Sequence, residues 1–136
     1  MGVAARETAP QIEQADGFEG RYTPVDDYII GFETYTADQD LSPLFAGLPD
    51  DACQCPHWGV VLKGKVQFRY TDGTVDTIEA GQAYYAKPGH TPTLFAGGEV
   101  VEFSPASELA KTMDVVLGNI AAAEEAAQES AQEASA

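Results

Sequence analysis

HWGVVLKGKVQFRYTDGTVDTIEAGQAYYAKPGHTP, residues 57–92, is the stretch whose reading decides the fold. Apolar and polar residues alternate in short runs, and each run is closed by glycine or proline. HWGVVLKG (57–64) reads as a strand ending at Gly64. In KVQFRY (65–70), Val66, Phe68 and Tyr70 face one way and Lys65, Gln67 and Arg69 the other, the period of a half-buried strand. Asp72-Gly73 is a hairpin signal, and TVDTIEA (74–80) is the returning strand. GQAYYAKPGH (81–90) holds a turn, a short aromatic strand and a Pro-Gly turn. Regular short strands with this punctuation predict an all-β sandwich or barrel.

Working outward, TPTLFAGG (91–98) and EVVEFSP (99–105) add two more strands. Upstream, YIIGFETYTADQD (28–40) is a strand with Ile30 and Phe32 on one face. LSPLFAGLPDDA (41–52), with two prolines and a glycine, reads as a loop with buried apolar anchors. FEGRYTPVDDY (18–28) has turn chemistry, and residues 1–17 are small, polar and acidic, as in a flexible tail or a loose strand. Beyond the strands, Ser104 reads as a helix N-cap with Pro105 in the first turn. Leu109, Met113, Val116 and Ile120 then form one apolar helical face, expected to pack on the barrel or on a partner copy. The alanine- and glutamate-rich remainder has helix propensity but nothing to bury, so the helix is expected to persist past Ile120 and fray. The expected organisation is a tail over 1–17, a barrel over 18–104, and a C-terminal helix with a fraying tail over 105–136.

The chain has 136 residues, suited to one domain, and a net charge of −15 from 22 acidic and seven basic residues. That surface repels phosphate backbones and anionic lipid, so neither nucleic acid nor a membrane leaflet is an expected partner. There is no apolar run of about 18 residues to span a bilayer and no signal-peptide pattern. The expected location is the cytoplasm. Phosphate-loop and Ser-His-Asp patterns are likewise missing.

Immediately before the deciding stretch stands CQCPH. Cys53 and Cys55 are the only cysteines, and His57 and His90 the only histidines. Side chains two apart on an extended segment point the same way, and Pro56 restricts Cys55 to extended backbone. Cys53, Cys55 and His57 therefore share a face, and His90 comes opposite His57 if the sheet folds back. Two thiolates and two imidazoles suit a tetrahedral metal, zinc best, with iron or copper also compatible. Other readings of the same residues stay open: buried hydrophobic cysteines, a Cys-x-Cys disulfide, or a histidine simply hydrogen-bonded in the interior. Asp51 shares the parity and is a candidate outer partner or oxygen ligand. Gly59, on the same parity, would leave room in the lumen. Of Tyr84 and Tyr85, one should face inward and one outward, and Trp58 should point away from the lumen. Glu79 and Glu102 are strand carboxylates that no spacing selects.

HWGVVLKGKVQF, then DG, EAGQAYYAKPGHTP and EVVEFSP, together resemble a small single-domain cupin, over about residues 28–104. The chain is similar to a bacterial subgroup of cupins bearing CQCPHWG and PGHTP motifs. Gly64 matches the glycine closing the family's first motif. His57 falls where that motif usually has glutamate, and Cys53 and Cys55 lie where its paired histidines stand. Gly81, Pro88, Gly89 and His90 match the second motif. The resemblance implies a cupin-type jelly-roll β-barrel with a divalent metal inside, and by position it nominates Cys53, Cys55, His57 and His90 as ligands. Two thiolates in place of harder ligands shift the preference toward zinc, with Fe, Mn, Ni or Cu as alternatives.

Three functions follow as expectations. The first is a metal-binding cupin in which the metal is structural or helps bind a small molecule in the barrel. The second is a metal-dependent oxygenase, isomerase or lyase with an open coordination position. The third is a thiol redox switch at Cys53 and Cys55. A homodimer is expected, because exposed strand edges commonly pair.

Overall fold

The structure is a computed structural model that describes residues 2–135. Its strands are β1 (Gln11–Ala15), β2 (Phe18–Val25), β3 (Tyr28–Tyr35), β4 (Gln39–Asp40), β5 (His57–Lys63), β6 (Lys65–Tyr70), β7 (Val75–Glu79), β8 (Ala83–Ala86), β9 (His90–Leu94) and β10 (Glu99–Pro105), followed by α1 (Ala106–Ser135). The fold is mostly β. One antiparallel sheet runs β1-β2-β3-β10-β5-β8 and the other β4-β9-β6-β7.

The alternation read from the sequence decides which side chains meet between the sheets. In β6, Val66, Phe68 and Tyr70 are buried while Lys65 and Arg69 are exposed. They join Tyr35, Val61, Ile78, Ala86, Leu94 and Val100 in the main core. Gly64 carries the chain from β5 in one sheet to β6 in the other at φ +65, where a Cβ would sit 3.0 Å from the Gly97 carbonyl oxygen, so a side chain fits there neither conformationally nor sterically.

A second core lies over one end of the barrel. Phe45, Cys53, Cys55 and Val116 are its buried centre, with Leu44, Leu48, Leu109, Met113 and Ile120 packed around them. The expected helical face is thus the one α1 lays on the 41–55 loop. Asn119 anchors it, its Nδ2 donating to the carbonyl oxygens of Leu44 at 2.7 Å and Ala46 at 2.9 Å.

Of the two readings of residues 1–17, the strand holds for Gln11–Ala15, whereas the segment read as turn chemistry is the eight-residue β2. Pro24 hid β2. It is tolerated because β1 pairs only with Phe18–Tyr22, so the missing N–H of Pro24 faces an unpaired edge. Ser104 caps no helix. β10 runs through Pro105, and the Ala106 N–H that opens α1 donates to the Asp27 carbonyl oxygen at 2.8 Å. Past Ile120 the chain stays helical to Ser135.

Candidate metal centre

β5 begins at His57, so the imidazole enters the lumen on the buried parity of Gly59 and Val61. His90 opens β9 just after Gly89, whose φ of +92 turns the chain back toward the loop. The loop and β9 are stitched together, with the Cys53 N–H donating to the His90 carbonyl oxygen and the Gly89 N–H to that of Cys53, both at 2.8 Å. This bridge places Cys53 against His90.

One donor atom each from Cys53, His57 and His90 lies within 4.8 Å of the others, and all three residues are buried. Cys53 Sγ is 3.6 Å from His57 Nε2. The two imidazole rings meet edge-on, with centroids 5.1 Å apart. His90 Nδ1 lies 2.6 Å from the Lys87 carbonyl oxygen. A carbonyl can only accept, so the proton sits on Nδ1 and Nε2 is left free as a ligand. Burial pushes both imidazoles down to about 4, so they are neutral and ligand-ready near pH 7.

Cys55 stands apart from this trio. The chain bends there instead of continuing as a strand, and its Sγ lies 4.0 Å from Nδ1 of His57, the nitrogen other than the one facing Cys53. Its thiol is oriented to the Pro56 carbonyl oxygen at 3.4 Å. Burial raises Cys53 to about 11 and Cys55 to about 12. Both are free, neutral thiols in the metal-free protein, which disfavours the ready thiolate chemistry a redox switch needs.

Other expectations resolve plainly. Asp51 is exposed, and its Oδ1 accepts from the Gly47 N–H at 2.9 Å, away from the donor atoms. Tyr84 faces inward and Tyr85 outward, where it stacks on the exposed Trp58 with ring centroids 5.1 Å apart. The space beside Gly59 is filled by the Tyr84 ring, so it is not free lumen. Glu79 is exposed. Glu102 points inward, one oxygen accepting from the Tyr84 hydroxyl at 2.8 Å and the other 3.6 Å from His57 Nδ1.

Sequence reasoning missed the surroundings of the trio. Ser104 Oγ is 2.7 Å from His57 Nδ1. The buried Thr112 hydroxyl of α1 is hydrogen-bonded to Cys53. Deeper in the barrel, Glu33 accepts from the hydroxyls of Tyr22 at 2.8 Å and Tyr35 at 2.9 Å. Burial holds both Glu33 and Glu102 well above the usual carboxylate range. The two-residue parity of β10, from Val100 through Glu102 to Ser104, is the signal that would have found the nearest of these.

No protein-family model matches the chain, and no curated protein matches its sequence. Solved structures do match it. An RmlC-like cupin from Shewanella frigidimarina superposes with a TM-score of 0.55 at 16% identity, covering 78% of this chain and 92% of its own. The chain has the cupin fold. The ectoine synthase of P. lautus superposes on this chain with a TM-score of 0.56 at 11% identity, covering 82% of this chain and 85% of its own. A Rhizobium leguminosarum protein of unknown function superposes with a TM-score of 0.55 at 17% identity, covering 76% and 94%. Identities this low establish the architecture of the chain and leave its chemistry to be argued from its own site. The buried cysteine and two histidines fit a metal-binding cupin.

Proposed function

We propose that this protein is a metal-binding single-domain cupin whose Cys/His-ligated divalent metal serves a structural or small-molecule-binding role. The observation that carries this is the buried trio of Cys53, His57 and His90, with donor atoms inside 4.8 Å and His90 held in the ligating tautomer. One thiolate and two neutral imidazoles suit zinc, and the set is also compatible with copper or iron. A three-residue shell leaves one position open to water or to a small ligand. Rotation of Cys55 into the shell would close it and make the site purely structural.

The open position also supports a second reading, a metal-dependent small-molecule enzyme. Metal content and thermal stability of reduced protein, wild type and Cys53→Ser, test the primary reading. About one zinc per chain, lost in the variant together with a clear drop in Tm, is the expected result. Failure to bind any divalent ion would overturn both readings. An open position is distinguished by azide shifting the visible spectrum of the cobalt-loaded protein, which a closed four-residue shell would not permit.

The homodimer belongs to the same proposal. On the outer face of the larger sheet, Phe103 is paired with Trp58, and Trp58 with Tyr85. These three and Tyr28 are exposed aromatic residues. An apolar cluster of this kind supports pairing with a second copy. Sedimentation should give a dimer for the wild type and a monomer for Trp58→Lys. A monomeric wild type at all concentrations would end the idea. Two free buried thiols support a reducing compartment, the cytoplasm. Among the described residues, no helix is long and apolar enough to cross a membrane.

A further inference from the structure

The Ser104 hydroxyl, free of any capping role, is turned into the barrel instead. The residue is 3% exposed, and its Oγ lies 2.7 Å from His57 Nδ1. Strand pairing puts it there. β10 pairs Phe103 with Trp58 of β5, so the next step along both strands brings Ser104 opposite His57. On its other flank Ser104 pairs with Ile29 of β3. Just beyond, the Ala106 N–H donates to the Asp27 carbonyl oxygen at 2.8 Å and fixes the end of the strand. A short side chain on a backbone held from both sides has little freedom to leave the ring nitrogen it faces.

His57 needs such a partner. The torsion that turns an imidazole about its Cβ–Cγ bond is broad, and a strand backbone does not set it. His90 is held by the Lys87 main-chain carbonyl at 2.6 Å. For His57, the Glu102 carboxylate oxygen at 3.6 Å is too far to hold the ring by a hydrogen bond. The Cys55 Sγ is farther still, 4.0 Å from Nδ1. With Nδ1 tied to Ser104, the other nitrogen, Nε2, faces Cys53 Sγ at 3.6 Å. A hydroxyl both donates and accepts, so the contact survives in the metal-free protein and, with Nδ1–H donating to Oγ, when Nε2 is a ligand.

We propose that Ser104 is the positioning residue that sets the ring plane of His57 and directs its Nε2 toward Cys53. Its consequence for metal binding rests on the function proposed above, whereas the orientation of the ring is a property of the metal-free protein. Groups that hold the outer nitrogen of a metal-binding histidine are worth about 10–100-fold in metal affinity.

Ser104→Ala and Ser104→Thr, each in the full reduced chain, test this with two readouts. The first is the imidazole nitrogen NMR spectrum of metal-free protein. Loss of the hydroxyl should shift the His57 nitrogens and leave those of His90 near their wild-type positions. The threonine variant, which keeps a hydroxyl, should resemble the wild type. The second is titration with cobalt(II). Affinity should fall by about 10–100-fold in the alanine variant and return close to wild type with threonine. The thiolate-to-cobalt absorption from Cys53 should persist at saturation in both, because the ligand set is intact and only the aim of one member has changed.

Unmoved His57 nitrogens in Ser104→Ala overturn the proposal. So does wild-type cobalt affinity in that variant, or a folded threonine variant as weak as the alanine one. A wild type that binds no cobalt overturns the proposed function instead, and shifted His57 nitrogens would then still support the hold of Ser104 on the ring.

Discussion

The residue at 59 is glycine because Tyr84 occupies the volume where any side chain would go, 2.5 Å from the position of a Cβ. Tyr84 in turn holds Glu102, so a change at 59 reaches the surroundings of His57 through two contacts. Gly59→Ala should therefore lower stability by about 1–3 kcal/mol, the usual cost of overpacking a filled interior. Urea unfolding checks this, and a variant as stable as the wild type would show that Tyr84 moves aside freely. At this scale Cys53, His57 and His90 were legible because the chain has so few cysteines and histidines and they fall at strand parity. Cys55 was not, since parity holds only while the chain stays extended, and it bends there. Ser104 was assigned to a helix cap because Ser-Pro before a helical stripe looks the same whether or not the preceding strand continues through it.

Among the elements, α1 has two halves of different character. Thr112 and Val116 are buried and Leu109, Met113 and Ile120 pack around the loop, whereas residues 121–133 are exposed. Truncation after Ile120 should change unfolding free energy by less than about 1 kcal/mol, while Met113→Ala should cost about 2 kcal/mol or more. Thermal or urea melts of the two variants separate these. A truncation that destabilised more than Met113→Ala would mean the outer half contributes to folding. Alanine, glutamate and glutamine favour the helix by backbone preference alone, and the helix continues past Ile120 to Ser135 as expected. The middle strands were read well because their alternation is strong. β2 escaped because its inward residues include Gly20 rather than a line of large apolar side chains, and Pro24 looked like a breaker.

Taken as a whole, the molecule carries a net charge of −15 and keeps two carboxylates inside the barrel. Burial, reinforced by Glu102, raises Glu33 from an ordinary 4.5 to about 7, against the opposing hydrogen bonds from Tyr22 and Tyr35. The folded state thus binds this proton more tightly than the unfolded chain. Its contribution is complete below about pH 4.5 and is lost as pH rises through about 7. His57 and His90 act in the opposite sense, because burial lowers them from 6.5 to about 4 and their contribution disappears as pH falls through that range. Glu33→Gln isolates the first effect. Between about pH 5 and pH 8 the variant should gain on the order of 2 kcal/mol relative to wild type, the neutral amide replacing a carboxylate that must ionise in the interior. Parallel stability curves for the two proteins would contradict the assignment.

The bridge between Cys53 and His90 also bears on how the chain reaches this state. Cys53 and His57 are four residues apart and can meet early, in a loop that closes on its own. His90 arrives only when β9 pairs with β6, whose strands are joined through the whole of β7 and β8. A zinc ion held by the early pair would recruit the late one, shortening the conformational search for the slowest contacts of the barrel. Refolding should then run faster with zinc present from the start than with zinc added after the sheets have closed.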